Sequence, residues 1–314
     1  MIRRLSRAGW LIGLLVLLGA LFLLTTMIRP GYGASGVEAL ARAALPFAFA
    51  TVAQAVAVLV GGVDLSIASM MAVTSVTAAV LMEGASTPVT VLVALGVLVL
   101  GLAMGAVNGA LIVVTRVPDI VVTLAMLFVW QGVALLILTS PGGQAAPWLR
   151  AMVVGSPIPG LPWALIFLGV FVALVWVPVA RSKLGLSIYA VGSDETAAFR
   201  SGVAVGRTKI AAYSIAGLFA AMGGLALAAS TGIGEPIPGP YLLASVAAVV
   251  LGGVVLGGGK GGLIGPIVAV LILRLVRMDM TFLSIDPNVT TIVEGTIMVV
   301  VVMLGGVLAV RGRR

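Results

Sequence analysis

AALPFAFATVAQAVAVLVGGVDLSIASMMAVTSVTAAVLM, residues 43–82, carries a single charged side chain, Asp64. Such a stretch is long enough for two bilayer crossings of about 20 residues each. Gly61-Gly62-Val63-Asp64-Leu65-Ser66 divides it with two helix-weakening glycines and a carboxylate. The reading is two apolar helices, 43–61 and 65–82, joined through a break. Asp64 is expected to N-cap the helix that begins at Leu65. It is also expected to line a translocation path, because non-helical backbone at membrane depth is tolerated only against protein or water.

Outward from this stretch the same pattern repeats. Uncharged runs lie at 10–28, 87–115, 120–139, 161–180, 210–231, 241–257 and 261–273, and an apolar run at 288–310 is broken only by Glu294. With the opening pair they predict an all-α polytopic membrane protein of about ten transmembrane helices, residues 1–314 forming one transmembrane domain. The run from Trp10 to Ile28 exceeds the roughly 7–15 apolar residues of a secretion signal and reads as a retained helix. Starting inside, ten crossings put Arg3, Arg4, Arg7, Arg116, Arg181, Lys183, Arg200, Arg207, Lys209, Lys260, Arg311, Arg313 and Arg314 on the cytoplasmic side. Arg29, Arg42, Arg150, Arg274 and Arg277 fall outside or near the outer ends. That asymmetry predicts both termini in the cytoplasm.

Of the 314 residues, 61% are hydrophobic and 9% charged, which excludes a water-soluble globular fold. Cysteine and histidine are both absent, so disulfides, thiolate metal sites and the common Ser-His and Cys-His pairs are excluded. Catalysis is not expected, nor is any cofactor in this chain. The net charge of +8 comes without a basic stripe interleaved with aromatics, so no nucleic-acid partner is expected and membrane lipid is. Gly257-Gly258-Gly259-Lys260-Gly261-Gly262 superficially resembles a phosphate loop. It has Val254 where the first glycine belongs and Gly261 in place of Ser or Thr, and reads as a tight turn.

Candidate pathway residues are Gln54, Asp64, Ser66, Ser69, Asn108, Gln131 and Glu294, with Thr77 on the face of Ser66 and Ser69. Amides and hydroxyls suit a neutral polyhydroxylated solute, which needs replacement hydrogen bonds without a fixed charge. Each is also a candidate for helix–helix hydrogen bonding, and Gly101, Gly105 and Gly109 form a close-packing face. Glu294, a carboxylate inside the last span, is the candidate for proton coupling if the chain were a secondary transporter. Ala68 to Val73 resembles Ala244 to Val249, and Gly105-xxx-Gly109 resembles Gly261-xxx-Gly265, which predicts two inverted halves.

The inner connection from Arg181 to Lys209 is the most charged part of the chain. Ser193 or Asp194 can cap a short helix through Glu195, Thr196, Ala197, Ala198, Phe199, Arg200 and Ser201, stopped by Gly202. A helix this short does not persist alone in water, so it is expected to dock.

Three ordered motifs resemble the ribose/xylose/galactose-type permeases of bacterial ABC importers. They are Gly61 to Ser66, Tyr189-Ala190-Val191-Gly192 through Ala197-Ala198 to Ser201-Gly202-Val203, and Ala247 to Gly253. The resemblance implies a cytoplasmic-membrane subunit that moves a sugar. It implies a separate ATP-binding subunit that uses ATP and Mg, a periplasmic sugar-binding protein and a second permease subunit, identical or not. Asp194, Glu195, Thr196, Ala197, Ala198, Arg200, Ser201 and Gly202 match the region that contacts the ATPase, within a coupling loop at 181–209. Ala68 departs from the usual glycine, and Ser193-Asp194-Glu195 from the usual Gly-Asn-rich lead. Branched-chain amino-acid permeases are distant relatives and a subsidiary reading. A proton-coupled secondary transporter and a membrane scaffold are the rivals from other classes.

Overall fold

The computed structural model describes residues 2–237, 239 and 241–311. Arg313 and Arg314, counted above among the cytoplasmic cations, lie outside the described residues. Among those described, thirteen helices and no strands are present, with only isolated bridges between Gly142 and Gly234 and between Ile158 and Leu161. The helices are α1 (Ile2–Ile28), α2 (Ala34–Leu59), α3 (Ile67–Met82), α4 (Thr87–Thr115), α5 (Asp119–Ile137), α6 (Pro147–Ala151), α7 (Trp163–Arg181), α8 (Lys183–Ser193), α9 (Glu195–Arg200), α10 (Val205–Thr231), α11 (Tyr241–Leu251), α12 (Ile264–Phe282) and α13 (Pro287–Arg311).

Each of the ten apolar runs contains a helix, but the helices differ in span. Among the described residues, six are long and apolar enough to cross a membrane: α1 from Gly9, α2, α4, α5, α7 and α10. Three of the other runs depart for identifiable reasons. The helices α3 and α11 are apolar but short, and α12 carries Arg274, Arg277 and Asp279 on its second half.

At the centre are α2 and α10, which pack on each other. Nearly all of α2 from Ala44 to Leu59 and of α10 from Ala212 to Ala229 is buried. These stretches are rich in Ala and Gly, and small side chains let helices approach closely where lipid offers no hydrophobic driving force between them. Gly101 and Gly105 of α4 lie against the backbone of Gly217 and Tyr213, and a Cβ on Gly109 would come 2.8 Å from Ile210 Cα. The Gly101, Gly105 and Gly109 face is therefore a packing face. Neighbours are arranged crosswise: α10 packs on α3 and α4, while α2 packs on α11 and α12. The peripheral α1 rests on α12.

The two ends of the bundle are distinct. At one end, Gln144 N donates to Ala79 O (3.0 Å), Ala145 N to Gly232 O (2.9 Å) and Trp148 Nε1 to Thr90 Oγ1 (2.8 Å). These bonds seat the Gly- and Pro-rich 138–162 connection on the ends of α3, α4 and α10. At the opposite end lie α8, α9 and the 252–263 turn, with Arg116, Arg181, Lys183, Arg200, Arg207, Lys209 and Lys260.

Candidate functional site

The break between α2 and α3 begins at the α8–α9 end, where Gly62 abuts Asp119, the first residue of α5, and the Tyr213 hydroxyl. From there the chain turns back inward to Asn108, seven residues before the end of α4 and on the order of 10 Å along its axis. The helix α3 begins at Ile67, not Leu65, with Ser66 as its N-cap residue. Asp64 is therefore not the cap. Its Oδ1 accepts from Ser66 N (2.8 Å) and Ser66 Oγ (2.6 Å), closing an Asx turn one step upstream.

Around this turn the sequence candidates converge. Gln54 bonds the Asp64 backbone in both directions, Nε2 donating to Asp64 O (2.7 Å) and Oε1 accepting from Asp64 N (3.2 Å). Asn108 Nδ2 donates to Ser66 Oγ (2.7 Å), and Ser69 Oγ donates to Ser66 O (2.8 Å). Trp130 Nε1 donates to Asn108 Oδ1 (3.2 Å) and Thr123 Oγ1 to Val63 O (3.1 Å). Gln54, Asp64, Ser66, Ser69 and Asn108 are all 2% exposed or less. The set satisfies the backbone of a helix break inside the protein and presents no surface to solute as it stands.

Gln131 and Glu294 lie elsewhere. Gln131 Nε2 donates to Pro236 O (2.6 Å), holding the loop that follows α10. Thr77 Oγ1 is buried without a partner among the described residues. Glu294, read from sequence as a lone carboxylate, has a partner: Arg277 Nη1 lies 3.1 Å from its Oε2. One turn along α12, the Arg274 guanidinium lies 5.2 Å from the Phe47 ring centroid and 5.8 Å from that of Tyr241. Distance in sequence hid Trp130, Thr123, Arg277 and Arg274, although both arginines interrupt an apolar run.

The short helix expected near Glu195 is α9, fastened at both ends. Asp194 Oδ1 accepts from Ala197 N (2.8 Å), so Asp194 is the N-cap. At the C-terminus Gly202 has φ +82°, with Gly202 N donating to Phe199 O (3.0 Å) and Val203 N to Ala198 O (3.0 Å), a Schellman motif. Glu195 pairs with Lys209 at 2.9 Å. Ala198 is buried, so its small size seats α9 on its own chain, whereas Glu195, Thr196, Ala197, Arg200, Ser201 and Gly202 are exposed. Phe199 is 70% exposed, an apolar side chain that helix-cap reasoning had passed over.

The break and the α8–α9 loop touch through glycines. Gly259 N, in the 252–263 turn, donates to Leu59 O (3.0 Å). A Cβ on Gly61 would come 3.4 Å from Gly192 Cα, and one on Gly258 would come 2.7 Å from Gly61 Cα and 2.9 Å from Gly192 Cα. Gly61, Gly192, Gly258 and Gly259 thus join three segments backbone to backbone, with Tyr189 Oη donating to Gly261 O (3.3 Å) beside them.

The profile of a transport family, described as branched-chain amino acid transport system / permease component, matches residues 36–302. The chain belongs to this permease family. It is 32% identical to the ribose import permease protein RbsC of Escherichia coli K12, over 82% of this chain and 81% of the relative. Identity is 30% to RbsC of Bacillus subtilis 168, over 79% and 77%. It is 28% to the D-allose transport system permease protein AlsC of E. coli K12, over 79% and 76%. No solved structure matches the chain. The permease is accordingly a multi-pass membrane protein and a transport component.

Proposed function

We propose that the chain is the transmembrane subunit of a bacterial ABC importer that brings a sugar, or a similar neutral polyhydroxylated solute, into the cytoplasm. The observation that carries the reading is α9: a capped helix with an exposed Phe199, on the end of the bundle where the basic loops gather and in backbone contact with the α2–α3 break. A separate ATPase binding ATP and Mg would dock there, against Glu195, Thr196, Ala197, Phe199, Arg200, Ser201 and Gly202, with Asp194 and Ala198 holding α9 in place. A periplasmic sugar-binding protein would deliver solute to the opposite end, and a second permease copy, identical or not, would complete the pathway. The relatives named for ribose and allose support a sugar.

In this reading the membrane is the bacterial cytoplasmic membrane, and about ten segments cross it with both termini inside. Inverted halves are supported by the crosswise packing of α2 and α10. They are also supported by the short α3 and α11, which occupy matching places and contain the two similar segments, 68–73 and 244–249. In proteoliposomes holding permease and ATPase, uptake from the loaded binding protein should stop with vanadate and survive an uncoupler. Phe199→Asp should leave the protein inserted while the ATPase no longer copurifies. Uptake driven by a proton gradient without ATP would overturn the reading.

A further inference from the structure

Leu15, Leu18, Phe22 and Arg29 stand at i, i+3, i+7 and i+14, a spacing that brings them to one face of α1. Arg29 follows the last residue of α1, and its N–H donates to Thr25 O (2.9 Å), so the helical repeat holds to that point. The adjacent stripe of α1 is taken by α12, through Leu14 against Val268 and Ile272. By backbone approach α1 packs on α12 and on no other helix among the described residues. Between α1 and the first turns of α2 a groove of about 340 Å³ therefore remains. Leu15, Leu18, Gly19 and Phe22 form one wall, the buried Leu40 and Ala41 lie opposite, and α7 and α12 each add a leucine.

This lining carries no hydroxyl, amide or charge, so it offers water no partner, although its volume is that of about ten waters. Left empty, it would forfeit dispersion contacts along four helices. Over the roughly 10 Å from Leu15 to Phe22 its cross-section is about 30 Å², less than half that of a helix about 10 Å across, so a helix of a second copy does not enter. A lipid chain does. From Leu15 to Arg29 is on the order of 21 Å along the axis, and one leaflet with its headgroups is about 20–22 Å thick. The groove is also joined to the cation by aromatic rings: Phe22 lies edge-on to Tyr32 (5.8 Å), Tyr32 to Phe282 (5.9 Å), and the Arg29 guanidinium 4.9 Å from the Phe282 centroid. That guanidinium is exposed and has no ion pair or hydrogen bond among the described residues. Nearby carboxylates are otherwise placed, since Glu38 accepts from Gly155 N (2.6 Å) and Asp279 is 6% exposed. A free guanidinium suits a phosphate, which accepts paired N–H donors. We propose that Arg29 and the α1–α2 groove form a phospholipid site, with the phosphodiester on the guanidinium and one acyl chain in the groove. The lipid thereby completes the packing of α1 on the bundle.

The test titrates the purified permease in dodecyl maltoside with two lipids and counts the lipid held per chain by native mass spectrometry. One is 1-palmitoyl-2-oleoyl-phosphatidylglycerol; the other is 1-palmitoyl-2-oleoylglycerol, which has the same chains and no phosphate. One phosphatidylglycerol per chain should bind at least tenfold more tightly than the diacylglycerol and should raise the melting temperature. Arg29→Gln should bring the two lipids to equal affinity. Gly19→Leu tests the groove independently, because a methyl there meets nothing within 4 Å and the longer side chain fills the space. It should abolish the lipid-dependent rise in melting temperature while melting no lower than the lipid-free unmodified protein. Equal affinity for the two lipids in the unmodified protein overturns the proposal. So does tight phosphatidylglycerol binding that survives Gly19→Leu or ignores Arg29→Gln, and so does a lipid-free dimer in which the groove is covered by a second copy.

Discussion

Gly192→Ala is the most informative single substitution at the α8–α9 end. The added methyl would overlap Leu59 O and come 2.6 Å from Gly259 N, between the two groups that hydrogen-bond across the break. Its neighbours are backbone atoms, so no side chain can rotate away. Forcing a methyl into a packed site costs about 1–3 kcal/mol. Losing the Gly259–Leu59 bond adds about 0.5–1.5 kcal/mol. Against this, replacing glycine in a helix recovers at most about 1 kcal/mol, and less this near the end of α8. The net loss is about 0.5–4 kcal/mol, which lowers the melting temperature by on the order of 5 °C. Tryptophan fluorescence of the purified permease in dodecyl maltoside measures it. Gly132→Ala is the control, because a methyl there meets nothing within 4 Å and should leave the midpoint unchanged or slightly raised. In the assembled importer, Gly192→Ala should also lower the solute moved per ATP. If Gly192→Ala and Gly132→Ala melt together, the close backbone contact does not exist in the protein and the argument fails.

Asp64→Ala strips the acceptor from Ser66 N and Ser66 Oγ, and each buried group left unpaired costs about 1–3 kcal/mol. Asp64→Asn keeps an acceptor there, so its melting temperature should fall by less than half as much; equal losses would mean that the negative charge, not the turn, is what matters. The topology is checked by thiol labelling of the exposed Ser140→Cys and Thr196→Cys variants in intact cells. Only Ser140→Cys should react with a membrane-impermeant maleimide, and reaction of Thr196→Cys from outside would reverse the orientation.

The all-helical architecture was legible in uncharged runs because lipid leaves the backbone few alternatives. Their number was legible as helices but not as crossings, since composition does not show where a run such as 241–257 stops being helical. At Leu251 the helix ends because the chain must pass closely over Gly265 and turn through Gly253. Gln54, Ser66 and Asn108 were chosen for their polarity, and they do meet Asp64. Their polarity alone could not show that they meet one another; in the structure they are buried and bonded around the break. Ala198 illustrates the same limit: a small residue signals close approach, but not whether the neighbour is a partner or the chain's own body.

The two caps on α9 bear on association. A six-residue helix would ordinarily be ordered only by what it binds, at a cost in conformational entropy charged against affinity. Here Asp194, the Schellman turn at Gly202 and the Glu195–Lys209 pair have already ordered it. In the importer proposed above, an ATPase would therefore meet a finished surface, and its binding would not wait for the segment to fold. A free peptide copying residues 190–204 would lack that advantage, and should compete poorly with the intact loop despite sharing every residue proposed to meet the ATPase.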